Sequence, residues 1–404
     1  MISHLPNTHI AHEWLTEWGG SEDVVRAMLE CLPQATLSAT INFLSAENRA
    51  RLTVADIQTT FLQRMPFVGK RFWNYLPLTP LAVESLDLND ADLIVSSSHA
   101  FAKGVLTTAQ QLHLSYVYSP MRYAWDLHHQ YLADYKLDRG MKGMLARWIF
   151  HRLRQWDRQT ANNVDLFVGI SHHVRQRIWR TYRRPALVIY PPVQVERFGM
   201  QDQKDNYYVT VSRLVSYKRI DLIVDAFGKM PNRKLIVIGD GPDRGKIGAR
   251  CPANVSLLGW QPDDVVHKYL ASARAFIFAA HEDFGISPVE AQACGTPVIA
   301  YGVGGSRETV RDVNTMTDPT GLLFFQQTSS ALVDAVEAFE GLSGRISPET
   351  CRQWADTFSE ARFKKAFSAL VEEAWHLWQT DPQHLETKMI ATVSGQSNQD
   401  QFEP

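Results

Sequence analysis

The chain has 404 residues, a net charge of -2, and is 45% hydrophobic and 21% charged. That is a globular composition too long for one ordinary core, so two domains of roughly 150–200 residues are expected. The near-neutral charge argues against general nucleic-acid binding while leaving local patches open, and no stretch approaches the roughly 18 apolar residues of a membrane span.

The N-terminus "MISHLPNTHIAHEWL" lacks a basic region followed by an apolar run, so no secretory signal is expected. Cys31, Cys251, Cys294 and Cys351 are far apart and form no C-x-x-C pair, which argues against a zinc site and fits a reduced, cytoplasmic protein. In chain order, "HIAHEWL" (9–15) reads as the first strand and runs through "TEWGG" into the helical stripe of "SEDVVRAMLECL". "ADLIVSSS" (91–98), "HLSYVYS" (113–119) and "VDLFVGIS" (164–171) are further strands, the last followed by a helix from His172. Pro191 and Pro192 then bar a continuous helix and predict a hinge. The pattern restarts with strands at 207–214, 234–241, 255–260, 274–280 and 297–302. Near the end, "FSEARFKKAFSALVEEAWHLW" (358–378) predicts an amphipathic helix with Phe363, Phe367, Leu370, Ala374 and Leu377 on one face. Residues 380–404 are polar and aperiodic and are expected to be disordered. Two α/β halves joined at a hinge predict two facing Rossmann-like domains, with ligands beyond the carboxyl ends of the strands.

Several residues at those strand ends carry candidate chemistry. In "HEDFGISPVEAQACGTPVIA" (281–300), Glu282 follows one strand, and Gly285 permits a turn. Ser287 is a candidate N-cap and Pro288 a candidate first helical residue, which puts Glu290 in the first turn. On the local pattern, Glu290 either completes a capping box with Ser287 or offers its carboxylate to a ligand. The helix N-terminus itself suits an anion such as a nucleotide diphosphate. In "VSRLVSYKRIDLIVDAF" (211–227), Arg213 and Lys218 stand where two cations could neutralise a diphosphate leaving group, although such pairs are commonly just a solvated face. Gly19 and Gly20 form a glycine turn after the first strand, Glu22 and Asp23 complement the helix dipole, and His99 follows "LIVSSS".

Taken together, the two glutamates, "ACGTPVIAYGVGGSRETV" behind them, and the S-R-L-x-x-x-K-R pattern resemble the donor site of the family-4 retaining glycosyltransferases of the GT-B fold. The resemblance implies that Glu290 binds the nucleotide ribose and Glu282 holds the donor hexose. Backbone around Phe284, Gly285 and Ile286 would cradle sugar and phosphate. It also implies that Arg213 and Lys218 bind the pyrophosphate with Arg219 beside them, that Gly19 and Gly20 approach the donor phosphate, and that His99 lies near the donor sugar. "FLQRMPFVGKRFWNYLPLTPLAVESLDL", "SSSHAFAKG" and "YSPMRYAWDLHHQYL" resemble bacterial mannosyltransferases that build O-antigen and exopolysaccharide units on a lipid carrier. Arg122, Tyr123, Trp125 and Asp126 could stack on a sugar or simply pack. "GDGPDRGKI" (239–247) and "LLGW" (257–260) fit the region that holds the nucleotide base.

The expectation is therefore an acceptor domain over 1–193, a nucleotide-sugar domain over 194–357, a crossover helix over 358–379 and a tail over 380–404. The expected reaction moves a hexose, mannose from GDP-mannose, onto a lipid-linked or polysaccharide sugar with retention, without a cofactor or metal. The rivals are a noncatalytic nucleotide-sugar-binding subunit of a polysaccharide assembly complex and a nucleotide-sugar epimerase of the same fold. Residues 139–184 hold eleven Lys/Arg against Asp157 and Asp165. Within them Leu145, Trp148, Ile149, Leu153 and Trp156 fall near one helical face. Arg64, Lys70 and Arg71 stand beside Phe67, Phe72 and Trp73. Either these faces pack on the sheet, or a basic rim meets anionic lipid at the inner face of the cytoplasmic membrane.

Overall fold

Short, largely buried strands dominate both halves, as parallel sheets covered on two faces require. In the computed structural model, which describes residues 6–54, 56–201 and 203–397, the chain divides into two units. One comprises Met1–Pro191 with Phe363–Pro404, and the other Pro192–Arg362.

The first unit holds β1 (Thr8–His12), β2 (Thr36–Ala39), β3 (Ile57–Thr59), β4 (Leu93–Ser98), β5 (Leu112–Val117), β6 (Leu166–Gly169) and β7 (Leu187–Val188). Their order in the sheet is β3-β2-β1-β4-β5-β6-β7, with parallel neighbours throughout. The second unit holds β8 (Tyr207–Val211), β9 (Lys234–Ile238), β10 (Val255–Gly259), β11 (Ala275–Phe278), β12 (Val298–Tyr301) and β13 (Gly321–Phe324). That sheet is also parallel, in the order β10-β9-β8-β11-β12-β13. In each sheet the winding direction reverses beside its first strand, between β1 and β4 and between β8 and β11. Such a reversal opens a crevice at the carboxyl ends of those strands.

The helix after β1, Gly20–Cys31, buries Val24, Val25, Met28 and Leu29. The helix His172–Tyr182 is capped by the Ser171 hydroxyl, which accepts from the Val174 amide at 3.0 Å. The long C-terminal helix, Glu360–Thr380, buries all five apolar residues of the expected stripe, and Val371 with them. One expectation needs correction: residues 382–397 are not a structureless tail. A short 3-10 turn, Pro382–His384, leads into a helix over Leu385–Ser397. Leu385 and Met389, one turn apart, are buried. Arg184 pairs with Glu386 at 2.8 Å. Two apolar anchors in an otherwise polar stretch are too few to register as a periodicity. Residues 398–404 of the expected tail lie outside the described residues.

Candidate functional site

The crevice of the second unit begins in the loop after β8. Leu214 is buried and anchors it. The Leu214 amide donates to the Asp240 carbonyl at 2.9 Å, and the Asp243 amide donates to the Leu214 carbonyl at 3.0 Å. This lacing brings the "GDG" turn after β9 so near that a Cβ at Gly239 would sit 1.9 Å from the Ser212 carbonyl oxygen, and one at Gly241 2.5 Å from that of Leu214. Only glycine fits at either position. With its neighbour Leu214 fixed inward, Arg213 stands exposed.

Lys218 closes the 3-10 turn Ser216–Lys218, and its Nζ lies 2.7 Å from Oε1 of Glu282. Both side chains are largely shielded from solvent, so a cation from the β8 loop meets a carboxylate from the β11 loop in a poorly screened position. Arg219 has φ 55° at the start of the helix Ile220–Gly228. Its guanidinium donates to Gln327 Oε1 at 3.0 Å, and Gln327 donates to the Ala279 carbonyl at 2.8 Å. Gln327 thus ties this turn to the end of β11, and no sequence signal had marked it.

Glu282 is held by its backbone. It forms a parallel bridge with Gly304, and its carbonyl accepts the Gly305 amide at 2.8 Å. A Cβ at Gly304 would fall 2.3 Å from the Glu282 carbonyl oxygen, and one at Gly305 2.3 Å from the Phe284 Cα. The "GVGG" turn therefore pins residues 282–284 through glycines that admit nothing larger. The Phe284 ring is buried, edge-on to Phe358 with centroids 5.5 Å apart, which leaves its backbone as the part a ligand could meet.

The capping-box alternative is not what starts the next helix. Gly285, at φ 90°, turns the chain directly into Ile286–Ala293, so Ser287 is the second helical residue and not the N-cap. Pro288 sits third, where a missing N–H costs nothing because the first turn has no intrahelical acceptor for it. Glu290 consequently lies in the second turn, half-buried.

In the first unit, Gly19 is the extended N-cap of the helix that Gly20 opens. Glu22 in its first turn does more than complement the dipole. Its carboxylate accepts from the Ser21 hydroxyl at 2.9 Å and lies 3.6 Å from His12 Nε2. Burial pushes the Glu22 carboxyl up, but the neighbouring imidazole and hydroxyl outweigh it and leave it below its ordinary range. His12 Nδ1 is 3.0 Å from the Ser97 hydroxyl, which lies 2.8 Å from the Tyr118 hydroxyl. The Tyr118 hydroxyl donates back to the Ser21 carbonyl at 3.2 Å. The glycine turn is thereby tied to β1, β4 and the residue that follows β5.

His99, after β4, is lowered below the usual histidine range by burial and so is neutral near pH 7. Its ring stands edge-on to Trp14 at 4.5 Å. The loop that carries it is organised by Glu13, a fully buried carboxylate that sequence reading passed over. Glu13 Oε1 accepts the backbone amides of His99 at 3.0 Å, Ala100 at 2.7 Å, Phe101 at 2.7 Å and Ala102 at 3.0 Å. Oε2 accepts that of Phe101 at 2.9 Å. A charged acceptor immediately after "HIAH" was the available signal, since an acid at a buried strand end needs several donors.

The aromatic loop packs. Tyr123 is buried, Trp125 donates through Nε1 to Asp157 at 2.7 Å, and Asp126 pairs with Arg177 at 2.6 Å.

Comparison with known proteins identifies the two domains. Residues 18–197 match the family model described as Glycosyltransferase Family 4, and residues 195–357 match that described as Glycosyl transferases group 1. D-inositol 3-phosphate glycosyltransferases of Mycobacterium tuberculosis and Mycobacterium bovis are 28% identical over 228 residues, which is 50% of this chain and 47% of theirs. The chain thus spans about half the length of the curated relatives it matches. Among solved structures, Anabaena HepE in complex with UDP is similar at a TM-score of 0.66 and 17% identity, covering 90% of this chain and 99% of that one. Sucrose-phosphate synthase from Thermosynechococcus elongatus is similar at 0.68 and 15%, covering 92% and 100%. Identities this low establish the fold alone. The chain carries a Glycosyltransferase Family 4 domain followed by a Glycosyl transferases group 1 domain and has the GT-B fold of glycosyltransferases.

Proposed function

We propose that the protein is a retaining glycosyltransferase that moves a hexose, mannose from GDP-mannose, onto a sugar of a lipid-linked or polysaccharide acceptor in cell-surface glycan synthesis. The observation that carries the enzymatic part is the 2.7 Å contact of Lys218 with Glu282 at the carboxyl ends of β8 and β11, beside exposed Arg213. A nucleoside diphosphate sugar presents the matching charges, an anionic diphosphate for the cations and hydroxyls for the carboxylates. In the reaction, the bond from the sugar C1 to the diphosphate oxygen breaks, and a bond from C1 to the acceptor oxygen forms on the same face. The acceptor proton leaves with the diphosphate. Charge then grows on the departing oxygens, where Arg213 and Lys218 stabilise it. Glu282 orients hexose hydroxyls and Glu290 the ribose. The roles of Gly19, Gly20 and His99, and the choice of mannose and GDP, rest on the sequence resemblance.

Incubating the full chain with separate nucleotide sugars and following release of nucleoside diphosphate tests this reading. Slow hydrolysis of GDP-mannose, at least about tenfold above UDP-glucose, is expected. Preference for a UDP-sugar would overturn the donor assignment, and hydrolysis of none would overturn the enzymatic one.

A further inference from the structure

The helix Gly140–Thr160 has an apolar side that nothing among the described residues of its unit covers. Its inward side is accounted for: Leu153 is buried, and Ile149, Phe150 and Trp156 pack on a core that includes Phe101, Met121 and Tyr123. The Trp156 indole donates to Glu84 at 2.6 Å and seats the helix beside the helix Thr79–Glu84. The expected single face of Leu145, Trp148, Ile149, Leu153 and Trp156 is therefore split, because Leu145 and Trp148 fall on the other side of the line the core can reach. There, Met141, Met144, Leu145 and Trp148 are 87%, 72%, 57% and 60% exposed. Their spacing of three, four and seven residues makes one continuous ridge.

The exposed charges of the helix itself have one sign, and Asp138, two residues before it, is paired with Arg139. Lys142, Arg147, Arg152 and Arg158 are exposed. The only acidic residue of the helix, Asp157, is fully buried, 2.8 Å from the Nζ of Lys103. The Arg147 and Arg152 guanidiniums donate to the Asp138 carbonyl and the Gln155 side chain, neutral partners that leave their charge in place. On the neighbouring helix, Leu81 is also exposed, at 58%.

We propose that this face docks on an anionic lipid bilayer, with Met141, Met144, Leu145 and Trp148 entering the interface and the flanking cations meeting lipid headgroups. A soluble surface rarely keeps such a ridge unless something covers it. An aromatic and aliphatic ridge rimmed by Lys and Arg is the pattern of an interfacial helix. A second copy of the chain fits less well, since a two-fold pairing would set the same arginines against one another. The inference gives the lipid-linked acceptor of the proposed function a place to be met, and rests on that reading for its purpose though not for its geometry.

The test is cosedimentation of the full chain with phosphatidylglycerol-containing vesicles and with pure phosphatidylcholine vesicles, at low and high salt. Donor hydrolysis without vesicles is measured in parallel. Binding to the anionic vesicles alone is expected, falling on the order of tenfold in high salt as the charges are screened. Leu145→Ser with Trp148→Ser, and separately Arg147→Glu with Arg152→Glu, should each reduce it on the order of tenfold, with melting temperature and donor hydrolysis kept. Equal binding to both vesicle types, binding to neither, or a dimer that the serine pair dissociates would overturn the proposal. Absence of donor hydrolysis in the unsubstituted chain would instead count against the enzymatic reading, while sedimentation alone decides the face.

Discussion

Glu13→Ala should destabilise the first unit by about 3 kcal/mol or more, because it strands several buried donors at once. The Glu13 carboxylate takes the amides of residues 99–102, and the Ser98 hydroxyl donates to it at 3.1 Å. These amides open the 3-10 turn Ala102–Gly104, so the carboxylate also opposes the partial positive charge of that end. Water cannot readily replace it, since Glu13, Ala100, Phe101 and Ala102 are all buried. Glu13→Gln should be milder: its carbonyl can keep the crowded Oε1 position, and its amide group then faces the Phe101 N–H in place of Oε2. Urea denaturation and hydrogen exchange at residues 98–102 separate the outcomes. An alanine variant within about 0.5 kcal/mol of the parent, with those amides still protected, would contradict the role given to Glu13. His99 sits on this loop, so donor hydrolysis should fall with the protection.

Arg213→Ala should lower transfer by roughly a hundred- to thousandfold, the scale at which removing one charge-stabilising donor acts on a developing oxyanion. Its effect on folding should stay within about 0.5 kcal/mol, because the side chain is exposed and its backbone neighbours hold the loop without it. In the proposed chemistry, Arg213 and Lys218 carry the leaving-group charge, so transfer should survive chelation with EDTA. Lys218→Ala should cost turnover and also release Glu282, which loses its partner at 2.7 Å. An absolute requirement for a divalent ion would overturn this account of the leaving group.

How much of this was legible depended on whether the signal was local. The strands β1, β4, β5 and β6 and most strands of the second unit are short runs of β-branched and apolar residues, so they announce themselves. β3 and β7, at three and two residues, are too short to do so. β2 reads "TLSA", with little to separate it from a turn. Expected strands also overran at their carboxyl ends: 9–15 became Thr8–His12, and 207–214 became Tyr207–Val211. The overrun is where the sites lie, since Glu13 and Arg213 have left their sheets to serve loops. The glycines of "GVGG" were visible as a pattern, but their purpose was not. Only the fold shows that Gly304 and Gly305 press against the backbone of Glu282 and Phe284. The Ser287 cap failed for a related reason. Local preference favoured serine followed by proline, while the positive φ of Gly285 starts the helix two residues after the turn residue Phe284. Glu13 and Gln327 act across at least 85 and 48 residues of sequence, respectively, and no window would connect them to their partners.

If the two glutamates of the β11 loop and its helix divide a nucleotide sugar between them, calorimetric titration of GDP into the parent and two variants should separate their roles. Glu290→Ala should weaken GDP binding roughly ten- to hundredfold, the loss of hydrogen bonds to a charged group at about 1.5–3 kcal/mol. Glu282→Gln should leave GDP affinity within about twofold, a few tenths of a kcal/mol, while transfer from GDP-mannose falls. Equal losses of GDP affinity in both variants, or none in Glu290→Ala, would contradict the assignment.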